Sequence, residues 1–150
     1  MRRFALVVAT TVSAACGSEK PAADAATPAT PPAPAPINLA EVAGKWTVRT
    51  MAETGDSVLV TTTIDATATT TGWTITLPNR EPIPMRVSVS GDSVMTDAGP
   101  YESVLRKGVQ VSTHGVFRLR EGKLVGVTVA HYSAGPDSVR NLRTEGTRAQ

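Results

Sequence analysis

From Val109 to Arg120 the chain alternates. Val109, Val111, Thr113, Gly115, Phe117 and Leu119 fall on one side, and Gln110, Ser112, His114, Arg118 and Arg120 on the other. A period of two places successive side chains on opposite faces of a strand. The pattern recurs. Trp73, Ile75 and Leu77 alternate with Thr74 and Thr76, and Ile83, Met85, Val87 and Val89 alternate with Arg86 and Ser88. Between Lys123 and Tyr132, Val125, Val127 and Val129 oppose Leu124, Gly126, Thr128 and Ala130. Threonine is dense between Thr47 and Thr76, which suits a half-exposed pleated surface. No window carries a long helical period, and Gly and Pro punctuate the runs as in an all-β meander. Strands are expected at 44–52, 57–66, 71–77, 83–90, 93–97, 101–106, 109–120, 123–133 and 138–147.

The first fifteen residues follow a different rule. Arg2 and Arg3 precede an apolar run, Phe4 to Val12, broken only by Thr10 and Thr11, and the small residues Ser13, Ala14 and Ala15 close it. A bilayer-spanning helix needs about 20 residues, so 1–15 reads as a cleaved export signal. The chain's single cysteine, Cys16, follows directly. Ser13-Ala14-Ala15-Cys16 resembles a bacterial lipobox, with Ser13 where Leu is usual. The resemblance implies acylation of Cys16, cleavage before it, and attachment to the bacterial envelope at an outer membrane or its periplasmic face. Gly17 after the Cys, where Asp is absent, implies transfer to an outer membrane. With Cys16 acylated, no thiol remains for a disulfide, a metal site or catalysis.

Residues 17–36 hold six of the eleven prolines, seven alanines and no large apolar side chain. Such a segment cannot bury enough surface to offset its ordering entropy. In polyproline II form it would reach about 60 Å at ~3.1 Å per residue. It reads as a tether from Cys16 to a folded domain at 37–150. The chain has 15 basic and 13 acidic residues. Loss of Arg2 and Arg3 with the signal leaves the two signs equal, so no basic footprint for nucleic acid is present.

The block Gly-Asp-Ser-Val occurs at 55–58 and 91–94, and a third copy, Gly135-Pro136-Asp137-Ser138-Val139, carries an inserted proline. Each copy lies between two expected strands. Glycine supplies positive φ, Asp bonds nearby backbone, and Val starts the next strand. A serine nucleophile would need a positioned base, and the only histidines are His114 and His131, both mid-strand. The hydrolases named for a Gly-Asp-Ser-Leu block carry an Asp three residues before their His. Here Val111 and Thr128 stand in those places. The blocks therefore read as hairpin turns and the chain as a non-enzyme. Two isolated histidines make no metal site, and no cofactor is expected.

The domain opens with INLAEVAGKWTV, residues 37–48. Gly44-Lys45-Trp46 resembles the Gly-x-Trp that begins the first strand of lipocalins and of the wider calycin group, including avidins. The stretch Asn38–Val42 stands where lipocalins have a short helical turn at the barrel floor. The resemblance implies an antiparallel up-and-down β-barrel of eight or nine strands, with an open β-sandwich as the alternative. It further implies an Arg near the last strand stacked on Trp46. Arg143 is the preferred partner, ahead of Arg140. The lipocalin disulfides and the several tryptophans of the avidin pocket are missing, so no biotin-binding residues carry over.

Two functions follow as expectations. One is a monomeric, lipid-anchored barrel that binds a small apolar ligand, with Trp73, Phe117 and Tyr132 lining the cavity. The other is a structural or protein-interaction lipoprotein with a packed barrel and no ligand. Anchoring is directly testable. Replacing Cys16 by Ser is expected to move the protein out of the membrane fraction, or leave it unprocessed, on fractionation and immunoblotting. Unchanged processing and sorting would remove the lipoprotein reading.

Overall fold

A computed structural model describes residues 34–150. The expected signal, Cys16 and most of the tether lie outside the described residues. One short helix, α1 (Leu39–Val42), precedes eight strands. These are β1 (Gly44–Ala52), β2 (Val58–Ala66), β3 (Thr74–Thr76), β4 (Ile83–Ser90), β5 (Ser93–Glu102), β6 (Gln110–Arg120), β7 (Lys123–Tyr132) and β8 (Val139–Arg148). Each pairs antiparallel with the next, and β8 returns to β1, so the sheet is a closed up-and-down barrel. The open sandwich is excluded by that last pairing. Closure leaves no free sheet edge.

The nine expected strands become eight because 93–97 and the first two residues of 101–106 belong to one element, while 103–106 fall in a loop. β5 runs past Gly99 and Pro100 with a shift of register between Ala98 and Tyr101. The Gly-Pro pair that punctuates the sequence is a bulge within the strand, and residues 103–109 form the loop beyond it. The expected strand 71–77 contracts to Thr74–Thr76.

Alternation determines which side faces inward. On β6, Val111, Gly115 and Phe117 are buried; on β7, Leu124, Ala130 and Tyr132 are, whereas Val127 on the opposite face is exposed. The Gly-Asp-Ser-Val blocks lie at the β1–β2, β4–β5 and β7–β8 connections. In the second, Ser90 pairs with Ser93, which leaves Gly91 and Asp92 as a two-residue loop with Gly91 at φ 53°. The β6–β7 loop is Glu121-Gly122, both at positive φ. Such left-handed pairs suit the twist of a two-residue hairpin.

The floor is built on Trp46. Asn38 accepts a hydrogen bond from the Ala40 amide and caps α1. The helix ends with the Val42 carbonyl accepting from the Trp46 indole at 2.7 Å. Trp46 is fully buried. It packs in a cluster with Val42, Val48, Ile64, Trp73 and Leu124. Arg148, at the end of β8, places its guanidinium 4.5 Å from the Trp46 ring centre. It also donates to the Ala43 carbonyl at 2.8 Å and to the Glu41 carbonyl at 2.5 Å. Gly44 leaves the space for it. At φ 128°, a Cβ there would sit 2.8 Å from an Arg148 nitrogen.

Arg143 is therefore not the stacking partner. It pairs in register with Met51 and donates to Asp56 at 2.7 Å and to the Gly55 carbonyl. It thus holds the first Gly-Asp-Ser-Val turn. Arg148 faces Trp46 directly across the β1–β8 ladder. Arg143 lies five residues back, roughly 17 Å along the strand at ~3.4 Å per residue.

Trp46→Ala is expected to cost about 3–5 kcal/mol in urea unfolding, as for a buried aromatic. Arg148→Ala should cost about 0.5–2 kcal/mol from the cation–π contact. A double-mutant cycle should show coupling between Trp46 and Arg148 and additivity between Trp46 and Arg143.

Candidate functional site

The barrel interior contains two apolar clusters with a void between them. The floor cluster is centred on Trp46. The second, nearer the mouth, consists of Val111, Ala130, Tyr132 and Leu142, with Leu59, Tyr101 and Val109 packed against it. The cavity between has a volume of about 70 Å³. Phe117 and Tyr132 line it. Trp73 does not. It is buried in the floor cluster, and its indole donates to the Thr69 carbonyl at 2.7 Å.

The residues unread in the sequence are the threonines. Thr50, Thr62, Thr96, Thr113, Thr128 and Thr144 come from six strands, and all line the cavity. The register sets four of them in two neighbouring rows of the ladder. Thr96 and Thr128 both pair with Gly115, and Thr144 pairs with Thr50. Thr128 and Thr144 share a hydrogen bond at 3.0 Å, and Thr113 lies 3.4 Å from the Tyr101 hydroxyl. Burial raises the Tyr101 pKa, only partly opposed by Thr113, so its phenol stays protonated at neutral pH. Gly115 keeps this level open to an aromatic ring. A Cβ there would come within 2.5 Å of the Phe117 ring and 2.7 Å of the Thr96 hydroxyl. Threonine in a strand pattern reads as surface, because its β-branch suits the pleat on either face. Only the inward set at 113 and 128, in phase with Val111 and Ala130, carried a signal for the interior.

The mouth is covered by the 103–109 loop. Ser103, Val104 and Leu105 line the cavity from above. Ser103 accepts from the amides of Leu105 and Arg106, each at 3.0 Å, which tightens the turn. Arg106 then reaches across the mouth. Its guanidinium lies 4.0 Å from the centre of the Tyr132 ring and donates to the carbonyls of Pro136 and Asp137 at 2.8 and 3.1 Å. The loop is thus latched to the β7–β8 connection.

The remaining polar residues lie elsewhere. His114 bonds Asp97 at 2.8 Å on the outer wall, and His131 is exposed near it. Ser93 begins β5 and donates to Asp92 at 3.0 Å. Asp92 also receives Arg118 at 3.0 Å and Arg120 at 2.6 Å. It therefore ties the β4–β5 turn to β6, a role beyond turn formation. Arg120 and then Arg118 hold its carboxyl at about 2, below the ordinary 3.8. Among the described residues, no group of three or more His, Cys, Asp or Glu is arranged to hold a metal ion.

No family model, curated protein or solved structure matches the chain. The fold and cavity nevertheless define a class, a closed eight-stranded antiparallel barrel compatible with a calycin-like fold.

A depressed folded-state pKa gives stability that is present above the unfolded value and lost as pH falls through the folded one. The Asp92 contribution should therefore be complete above about pH 4–5 and disappear toward pH 2. Asp92→Asn should flatten the fall in stability over that interval, measured by urea midpoints from pH 6 to 2. An unchanged acid profile would show that the two arginines contribute nothing through this carboxylate.

Proposed function

We propose that this protein is a lipid-anchored lipoprotein of the bacterial envelope whose lipocalin-like barrel binds a small apolar ligand. The observation that carries this reading is the cavity between the two apolar clusters. Its lining includes Val48, Ile64, Ile75, Phe117 and Leu142 and contains no ionisable side chain other than tyrosine. Concave, mostly apolar sites with a few placed polar groups are the usual form of small-molecule sites. The volume limits the occupant. Drug-sized ligands occupy about 300–1,000 Å³, and about 70 Å³ admits a compact molecule of a few heavy atoms. A larger one requires the 103–109 loop to swing away.

Anchoring is supported by the lipobox-like Ser13-Ala14-Ala15-Cys16 and the proline-rich stretch after it. Two acyl chains hold a protein stably at a membrane where one is marginal. A binding role without catalysis is supported by Ser93, whose hydroxyl donates to Asp92, and by His114, paired with Asp97 four residues along β5. The second reading is a structural or interaction lipoprotein with no ligand. The small volume favours it, as does an apolar row on the outer wall, where Met95, Val116 and Val127 pair in sequence.

Native mass spectrometry of the full chain, purified from its own membrane, separates the two readings. A ligand-binding barrel should carry an extra small mass that is lost in Ala130→Ile, which fills the cavity, while circular dichroism stays unchanged. Absence of any added mass in the parent protein would favour the packed, ligand-free barrel.

A further inference from the structure

We infer that the cavity takes a compact uncharged molecule bearing a hydrogen-bonding atom, a carbonyl or hydroxyl on a short apolar body, held by the hydroxyls of Thr50, Thr62 and Thr96. The inference rests on the ligand-binding reading and adds the chemistry of the occupant.

Those three threonines are each at least nine-tenths buried. Unlike Thr128, Thr144 and Thr113, they take part in none of the side-chain hydrogen bonds of the described residues. Among the described residues, the one polar side-chain atom that is both sealed and unpartnered is Arg143 Nε. The three hydroxyls therefore open onto space, and the space they border is the cavity. A buried hydroxyl without a partner loses its hydration for nothing. Whatever fills the cavity must supply hydrogen-bonding atoms at this level.

The same lining excludes ions. No side chain facing the cavity offers an opposite charge to an anion or a cation. The nearby cation, Arg106, is engaged by the Tyr132 ring and two carbonyls. An ion drawn into this site would be desolvated without a counter-charge. The apolar clusters above and below the threonines suit the body of the ligand. At about 70 Å³ the cavity admits a compact molecule of a few heavy atoms.

The test compares three five-membered-ring probes on the full-length chain, by NMR titration of the cavity methyl groups. The probes are cyclopentanone, cyclopentane and the cyclopentylammonium ion, which has as many heavy atoms as the ketone. Cyclopentanone should bind at least about fivefold more tightly than cyclopentane, and the ammonium ion should not bind. One lost hydrogen bond corresponds to about a two- to tenfold change. Thr62→Val and Thr96→Val should each weaken cyclopentanone by that factor and leave cyclopentane unchanged or tighter. Thr62→Ser and Thr96→Ser, which keep the hydroxyl, should retain cyclopentanone binding and so separate the hydroxyl's role from a packing defect. Cyclopentane binding as tightly as the ketone, with no effect of the valines, would overturn the inference and leave the ligand-binding barrel standing. Preference for the ammonium ion would also overturn it. If none of the three probes shifts a cavity methyl resonance, both the inference and the ligand-binding reading fail.

Discussion

The barrel depends on the pairing of its last strand with its first, which is fastened at the floor by the Arg148 guanidinium over the Trp46 indole. That contact joins the first strand to the last at the level where the chain enters the sheet. Its parts are interdependent. The indole nitrogen is satisfied by the end of α1, the guanidinium by two carbonyls around α1, and the approach by the missing side chain of Gly44. Without closure, β1 and β8 would each expose a row of unpaired backbone groups. With it, the ladder is continuous and the floor is sealed by an aromatic ring, leaving the interior to differ from the floor upward.

That interior is stratified. The wide floor is filled by Trp46 and Trp73, and the mouth by Tyr132 and its neighbours under the Arg106 latch. Between them, residues of modest volume do not fill the cross-section, which is why the void lies there. Six threonines and Gly115 occupy that level, so the void is bordered by hydroxyls. An eight-stranded barrel has only enough width for side chains or one small ligand. The choice between those outcomes rests on the size of the side chains at a single level.

Much of this organisation is legible in the sequence, for local reasons. Val109 to Leu119 shows its inward face by alternation, whereas Lys123 to Tyr132 sets three valines against Leu124, Gly126, Thr128 and Ala130, and only the closed barrel shows that the valine side faces out. The Gly-Asp-Ser-Val blocks mark connections, because glycine and aspartate suit loop conformations whatever surrounds them. Gly44-Lys45-Trp46 marks the floor. The misplacements have equally physical causes. Gly99 and Pro100 suggest an end of strand, yet a sheet tolerates them as a bulge when both flanks stay paired. Arg143 and Arg148 are both arginines of β8. Which of them reaches Trp46 depends on the stagger between β8 and β1, which neither strand encodes alone.

The sequence by itself determined an all-β chain, the alternation of its strands, its Gly-Asp-Ser-Val turns and the place of Trp46 at its floor. All of these follow from conformational preferences and alternation over a few residues. Only the tertiary structure decided the closure of β8 on β1, Arg148 as the partner of Trp46, Asp92 as an anchor for two arginines, and the 103–109 loop as the cover of the mouth. It also decided that threonines scattered from Thr50 to Thr144 line one void. Those are relations between residues distant along the chain, and they exist only once strand stagger around a closed sheet brings them together.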